Sequence, residues 1–239
     1  AKARLLGPNT VELSTGETKT ARHILVATGG WPVRPDVPGI EHSITSNEMF
    51  GLEQLPKSIL IVGGGYIACE FAGIMNGMGV ATTQYYRGEQ ILRGFDREAR
   101  DLIASSMIER GIDLRCGADV AKIEKSGSGL VVTDRQGNSA SFDHVMYATG
   151  RAPNTAGLGL TDIGVKTGAA GEILVDEFSQ TSVPSVYAIG DVTNRANLTP
   201  VAICEAMAFV ETVYKENPTA PDHDLIPTAI FTQPEMGTV

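Results

Sequence analysis

Gly63-x-Gly65-x-x-Ala68 is the stretch of this sequence whose residue types and spacing point most directly to chemistry. It follows the apolar run Ser58 to Val62 and opens a segment with helical character that lasts to about Gly79. At such a strand-to-helix junction Gly63 allows a tight turn and Gly65 lets a pyrophosphate reach the backbone. Ala68 keeps the helix close to the sheet, and the unpaired N–H groups of the first helical turn attract negative charge. A purely structural glycine turn is the alternative; the return strand "VATTQYY" at 80–86 favours the nucleotide seat.

The second strand of such a unit ends beside the adenine ribose, where NAD calls for a carboxylate to accept from its two hydroxyls. Here that end reads Tyr85-Tyr86-Arg87, with no acidic side chain in place. Arg87 and Arg93 lie on one short loop, and a guanidinium fork makes paired, charge-assisted hydrogen bonds to phosphate. Either arginine alone reads as a solvated surface residue. Together, after this motif, they predict NADP.

Cys69, Cys116 and Cys204 are too widely spaced for a C-x-x-C redox turn or a zinc site, so no metal is expected. Isolated cysteines suit a reducing compartment, and their expected role is that of small buried apolar side chains.

These residues need elements to hold them. Residues 4–28 read as a hairpin running into a strand, with turns at Gly7-Pro8-Asn9 and Thr15-Gly16-Glu17. A proline-punctuated connector from Trp31 to Gly39 suits a crossing between domains. Between Lys57 and Gly150 strand and helix alternate. Residues 96–111 carry Leu102, Ile103, Met107 and Ile108 at helical spacing and stop at Gly111, and antiparallel strands follow, with turns at Ser126-Gly127 and Gln136-Gly137. "HILVATG" (23–29), "HVMYATG" (144–150) and "SVYAIGD" (185–191) echo one another as buried strands ending at a glycine, where a ligand can approach the backbone. Thr199 reads as an N-cap and Pro200 as the first helical residue of a later helix.

At 239 residues, two domains or parts of several are expected. With 42% hydrophobic and 20% charged residues the chain should fold as a globular protein. A formal charge of -9 argues against general affinity for nucleic acid or anionic membrane. No apolar run of about 18 residues is present and no leader pattern follows Ala1, so a cytoplasmic location is expected.

The blocks "GGGYIACEFAGI", "RGEQILRGFD", "YATGRAPNT", "VDEFSQTSVPSVYAIGDVT" and "LTPVAICEA" resemble, in order, the FAD-containing pyridine nucleotide-disulfide oxidoreductases, most closely their glutathione-reductase branch. The resemblance implies an α/β, Rossmann-like FAD/NAD(P)-binding fold with three layers (β/β/α), one NADP domain being inserted in an incomplete FAD domain. Residues 1–56 would be part of the FAD domain with a linker, 57–151 the NADPH domain, 152–218 the second FAD part, and 219–239 the opening of a dimer-interface domain.

In such enzymes a hydride passes from NADPH to FAD, then to a cysteine pair, then to a substrate disulfide. Glutathione disulfide is the expected small-molecule substrate and a homodimer the expected assembly. The resemblance assigns Gly63, Gly64, Gly65, Tyr66, Ile67, Ala68, Glu70, Arg87, Arg93, Gly150, Leu198 and Ala229 to NADP. It assigns Ala3, Thr28, Gly29, Arg151, Gly190, Asp191 and Thr199 to FAD. Tyr66 resembles the tyrosine that covers the flavin and swings aside for nicotinamide, and Glu70, one helical turn on, the glutamate that pairs with a lysine beside it. Asp191 would accept from flavin ribityl or ribose hydroxyls, and the helix mouth at Thr199 would face the flavin pyrimidine carbonyl.

The family's redox cysteines, the lysine partner of Glu70, the FAD glycine motif and the acid-base histidine are not among these residues. The 239 residues are therefore expected to be an internal portion that holds NADP without reducing a disulfide, and Glu70, lacking its lysine, to be either flooded by water or raised in pKa. Met207 stands where some glutathione reductases place a substrate-binding arginine, which admits related thiols such as trypanothione. As a methionine at helical spacing it otherwise reads as core. A non-catalytic NADP-binding module, and a flavin-dependent NADPH oxidase or transhydrogenase, are the competing readings.

Overall fold

Ile59, Leu60, Ile61 and Val62 are buried on both faces of their strand, as a parallel strand covered on each side requires. In this computed structural model, which describes residues 2–239, they lie at the centre of a parallel sheet. In chain order the elements are β1 (Ala3–Gly7), β2 (Thr10–Leu13), β3 (Thr18–Thr20), β4 (Ile24–Val26), β5 (Gly30–Pro32), α1 (Ser46–Met49), β6 (Ser58–Val62), α2 (Tyr66–Gly77), β7 (Ala81–Tyr86) and α3 (Arg97–Glu109). They continue with β8 (Asp113–Cys116), β9 (Val120–Ser126), β10 (Gly129–Asp134), β11 (Ser139–Phe142), β12 (His144–Tyr147), β13 (Arg151–Pro153), β14 (Val186–Ala188), α4 (Thr199–Tyr214), β15 (Thr228–Ile230) and β16 (Met236–Thr238).

The chain divides into two units, one formed by the residues up to Trp31 with Arg151–Ile226, the other by Pro32–Gly150 with Pro227–Val239. In the second unit the sheet order is β12-β6-β7-β8, every pairing parallel. Ile59 and Ile61 pack into the helix layer with Ala68, Ala72, Met75, Ile103 and Met107. Leu60 and Val62 pack into the antiparallel β9-β10-β11 meander through Val120, Ile123, Leu130 and Val132. This is the expected three-layer β/β/α arrangement. The sheet continues from β6 to β7 on one side and to β12 on the other, so β6 sits at the switch point where open α/β sheets place ligands.

The proline-rich connector belongs to this same unit because Val37 joins the meander core and Met49 the helix core. The last residues do so through Ile230 on the β15–β16 hairpin.

In the other unit β1, β2 and β3 form an antiparallel meander, and β4 pairs in parallel with β14. Two of the echo strands are thus neighbours. Leu5, Val26, Ile173, Val186 and Val192 make this unit's core.

Three expectations, for the cysteines, Met207 and the start of α4, need correction. Cys69 is buried, but Cys116 and Cys204 are exposed, on the sheet-edge strand β8 and the outer face of α4. Of the apolar positions on α3, Ile103 and Met107 are buried while Leu102 and Ile108 are 60% and 55% exposed. The helix presents one narrow stripe, and a step of one residue turns a side chain by about 100°, off that stripe. Met207 is 60% exposed, not core. The residue preceding α4 is Leu198 in extended conformation, with Thr199 already helical and no side-chain cap bond. Pro200 still lies among the first helical positions, whose N–H groups need no partner within the helix.

Candidate cofactor sites

Gly63 has φ +147°, and a Cβ there would overlap the carbonyl oxygen of Ala148 and approach the Ala68 Cβ to 3.2 Å. Only glycine allows β6, α2 and the end of β12 to meet so closely. At Gly65 an added Cβ would meet nothing within 4 Å, and no side chain caps the helix that begins at Tyr66. The N–H groups of the first turn of α2, through Tyr66, Ile67 and Ala68, thus adjoin open space. This is the cradle a pyrophosphate requires, and the residues fit the group.

Three features of the turn escape the motif. Gln84, fully buried on β7, donates from Nε2 to the Gly63 carbonyl at 2.9 Å and pins the turn from beneath. The Tyr86 ring lies against both Gly64 and Gly88, where a Cβ at Gly88 would stand 2.6 Å from it. The Leu92 N–H donates to the Gly64 carbonyl at 2.6 Å, joining the glycine turn to the loop that carries Arg93. Isolated glycine and glutamine positions in a strand-loop carry no motif; the signal that could have found Tyr86 is its place at the end of β7.

Beyond β7 lies an open recess of about 760 Å³ lined by Tyr86, Arg87, Gly88, Glu89, Gln90, Arg93, Arg97, Arg100 and Asp101. Arg100 is committed, donating to the carbonyls of Ile91 at 2.7 Å and Gln90 at 2.8 Å. Arg97 lies 3.9 Å from Asp101. Arg87 and Arg93 are exposed and make no hydrogen bond or ion pair among the described residues. Two guanidinium groups without partners therefore border a space open to solvent, the chemistry that receives a phosphate dianion.

Tyr66 and Glu70 share a face of α2, and Glu70 Oε1 accepts from the Phe231 backbone N–H at 2.9 Å. A backbone donor from the β15 end thus occupies the carboxylate. Cys69 faces the core, with Gln84 Nε2 3.5 Å from its sulfur, and burial pushes its thiol up to about 12. Gly150, with φ +133°, follows β12 and its carbonyl accepts from the Val33 N–H at 2.9 Å. Ala229 lies exposed on β15, while Leu198 belongs to the other unit.

All residues predicted for FAD fall in one unit. Ala3 begins β1, and the Thr28 hydroxyl donates to the Asn154 carbonyl at 2.7 Å beside Gly29, which has φ +70°. Arg151 donates from Nη2 to the Gly30 carbonyl at 2.6 Å and places Nε 3.6 Å from Asp191. Gly190, at φ +73°, precedes Asp191 in a single 3₁₀ turn after β14, and Thr199 opens α4 with uncapped N–H groups. Between turn and helix, Arg195 Nε and Asn197 Oδ1 are buried with no hydrogen-bond partner among the described residues. Buried polar atoms of this kind call for a polar group beside them, and the site fits a dinucleotide.

A parallel sheet with a glycine turn at its switch point, an arginine-lined recess beside it and a second nucleotide-type turn in the companion unit define a dinucleotide-binding fold. Residues 1–206 match the family model described as pyridine nucleotide-disulphide oxidoreductase, and the chain belongs to that family. It is 49% identical, over its whole length, to a glutathione reductase of Burkholderia cepacia and 46% identical to a chloroplastic/mitochondrial glutathione reductase of Pisum sativum. A trypanothione reductase of Trypanosoma congolense is 45% identical over 93% of the chain. The chain spans about half the length of these relatives, 53%, 43% and 46% in turn.

Among solved structures, the HOCl-induced flavoprotein disulfide reductase RclA of Escherichia coli superposes with a TM-score of 0.92 at 25% identity, covering 99% of this chain and 55% of that one. LpdA of Mycobacterium tuberculosis gives 0.85 at 28% identity, covering 99% and 54%. FAD and NADPH are the cofactors of the family. No helix among the described residues is long and apolar enough to cross a membrane.

Proposed function

We propose that these residues are the NADPH-binding and part of the FAD-binding machinery of a glutathione-disulfide reductase. The observation that carries the reading is the pair Arg87 and Arg93, partnerless at the recess beyond β7, where an NAD site would hold a carboxylate. The pyrophosphate is held by the turn Gly63 to Gly65 and the N-terminal N–H groups of α2, and the 2′-phosphate by the two arginines.

FAD, held by Ala3, Thr28, Gly29, Arg151, Gly190, Asp191 and Thr199, supplies the chemistry that accepts hydride and returns electrons in pairs. Tyr66, the first residue of α2, stands with the glycine turn that receives the nucleotide. Glu70, anchored by the Phe231 N–H, offers its second oxygen to a cationic partner. Gly150 and Ala229 belong to the same unit as the glycine turn. The α4 N-terminus presents its dipole to negative charge that builds during reduction.

Cys69, Cys116 and Cys204 are all free. The cysteine pair that would pass electrons to substrate is not formed by them, so these residues alone bind NADP and give no disulfide turnover. The reductase works as a homodimer in the cytoplasm. NADPH oxidation by the full-length flavoprotein, with glutathione disulfide and trypanothione disulfide in parallel, tests the assignment. Faster turnover of glutathione disulfide is expected; preference for trypanothione would move the substrate, and oxidation coupled only to oxygen would refute disulfide reduction.

A further inference from the structure

Glu205 is the most deeply buried acidic residue of the FAD-holding unit, 1% exposed on α4, and no cofactor role falls on it. Its two oxygens are fully engaged. Oε2 accepts from the Gly190 backbone N–H at 2.6 Å. Oε1 receives Arg195 Nη2 at 2.8 Å and His223 Nε2 at 2.8 Å. An imidazole nitrogen facing a carboxylate is the donor. Arg195 Nη2 also donates to the Ser179 hydroxyl at 3.1 Å, which ties the loop between the turn and α4 into the same network.

The placement has a mechanical consequence. Gly190 immediately precedes Asp191, and α4 begins at Thr199, so one side chain joins the turn and the helix that together face the flavin in the reading above. Gly190 has φ +73°, and a Cβ there would stand 3.3 Å from the Ala202 Cβ. The turn therefore lies directly on the helix that carries Glu205. Burying a carboxylate is costly unless every oxygen is paired, and a buried charge with three donors holds their relative positions more rigidly than apolar packing would.

We propose that Glu205 is a positioning residue for FAD: through the Gly190 N–H it fixes the turn that presents Asp191, and through Arg195 and His223 it fixes that turn relative to α4. The proposal rests on the assignment of the Gly190–Asp191 turn to FAD. A glutamine at 205 has one acceptor oxygen and one donor NH2, so it must set a donor against either the Gly190 N–H or the Arg195 and His223 pair.

The test uses the full-length holo-flavoprotein carrying Glu205→Gln, with the FAD dissociation constant and the position of the visible flavin band as readouts. At least tenfold weaker FAD and a displaced band are expected. Should that variant fail to fold, His223→Ala, which removes one of the three donors, is expected to weaken FAD at least threefold. FAD affinity and band unchanged within twofold in the folded variant, whatever its melting temperature, overturns the proposal. Asp191→Ala serves as reference: if it too leaves FAD affinity unchanged, the FAD assignment of the turn falls, whereas loss in Asp191→Ala alone removes only the role of Glu205.

Discussion

Gly63 is the residue at which backbone geometry and ligand chemistry are least separable. A methyl group there would meet the Ala148 carbonyl carbon at 2.9 Å as well as its oxygen, at a φ of +147°. Gly63→Ala is expected to lower stability by about 2–4 kcal/mol, read from chemical denaturation, since both a clash and a strained backbone are introduced. Cys69 gives a prediction of opposite character. Its buried thiol keeps its proton up to about 12, against an ordinary value of 9.0, so the folded chain retains a proton that the unfolded chain releases between those limits. Stability attributable to Cys69 is complete below pH 9 and falls as pH rises toward 12. Cys69→Ala should therefore show a shallower alkaline decline than the parent, and thiol reagents at neutral pH should label Cys116 and Cys204 but spare Cys69. The motif glycines and the arginine pair could be singled out from the sequence because their residue types and spacing carry the signal. Gln84, Tyr86 and Glu205 could not, because a buried amide, an aromatic against glycine and a buried carboxylate acquire their meaning only from neighbours distant in the chain.

Elements are specified unevenly. The run β6–α2–β7 was clear because an apolar strand, a glycine turn and a helical stripe follow one another without ambiguity. The start of α3 is equally local: Asp96 accepts from the Ala99 N–H at 3.1 Å, satisfying one of the donors that a helix N-terminus leaves open. Asp96→Ala is expected to cost about 1 kcal/mol in denaturant titration, a typical cap loss. On α3, Leu102 and Ile108 are exposed although they share the apolar spacing, because periodicity gives the width of an apolar stripe poorly when flanking positions are also apolar. The start of α4 was misplaced by a residue because Thr199 is as suited to a cap as to a first turn. Only the extended backbone at Leu198, φ −130° and ψ 135°, decides it.

At the scale of the molecule, most of one unit is inserted in sequence within the other, and where its connectors belong is not legible in the sequence. The residues after Trp31 and those after Ile226 pack into the dinucleotide unit because Val37, Met49 and Ile230 find their cores there. Such long-range partnerships leave no periodic trace. A ligand that binds one unit stabilises it by mass action, about 2.7 kcal/mol at one hundred times its dissociation constant. Hydrogen exchange with saturating NADP should therefore slow at 63–68 and 86–93 and remain unchanged at the Gly190 turn; protection confined to the Gly190 turn would place the nucleotide in the wrong unit.

The central claim is that Arg87 and Arg93 read a 2′-phosphate, and calorimetric titration with adenosine 2′,5′-bisphosphate against 5′-AMP addresses it most directly. At about 1.5–3 kcal/mol for each charge-assisted hydrogen bond, the bisphosphate should bind at least tenfold more tightly, and Arg87→Ala/Arg93→Ala should abolish the preference while leaving 5′-AMP unaffected. Equal affinity of the parent protein for the two nucleotides, or a preference that survives the double substitution, would contradict the account.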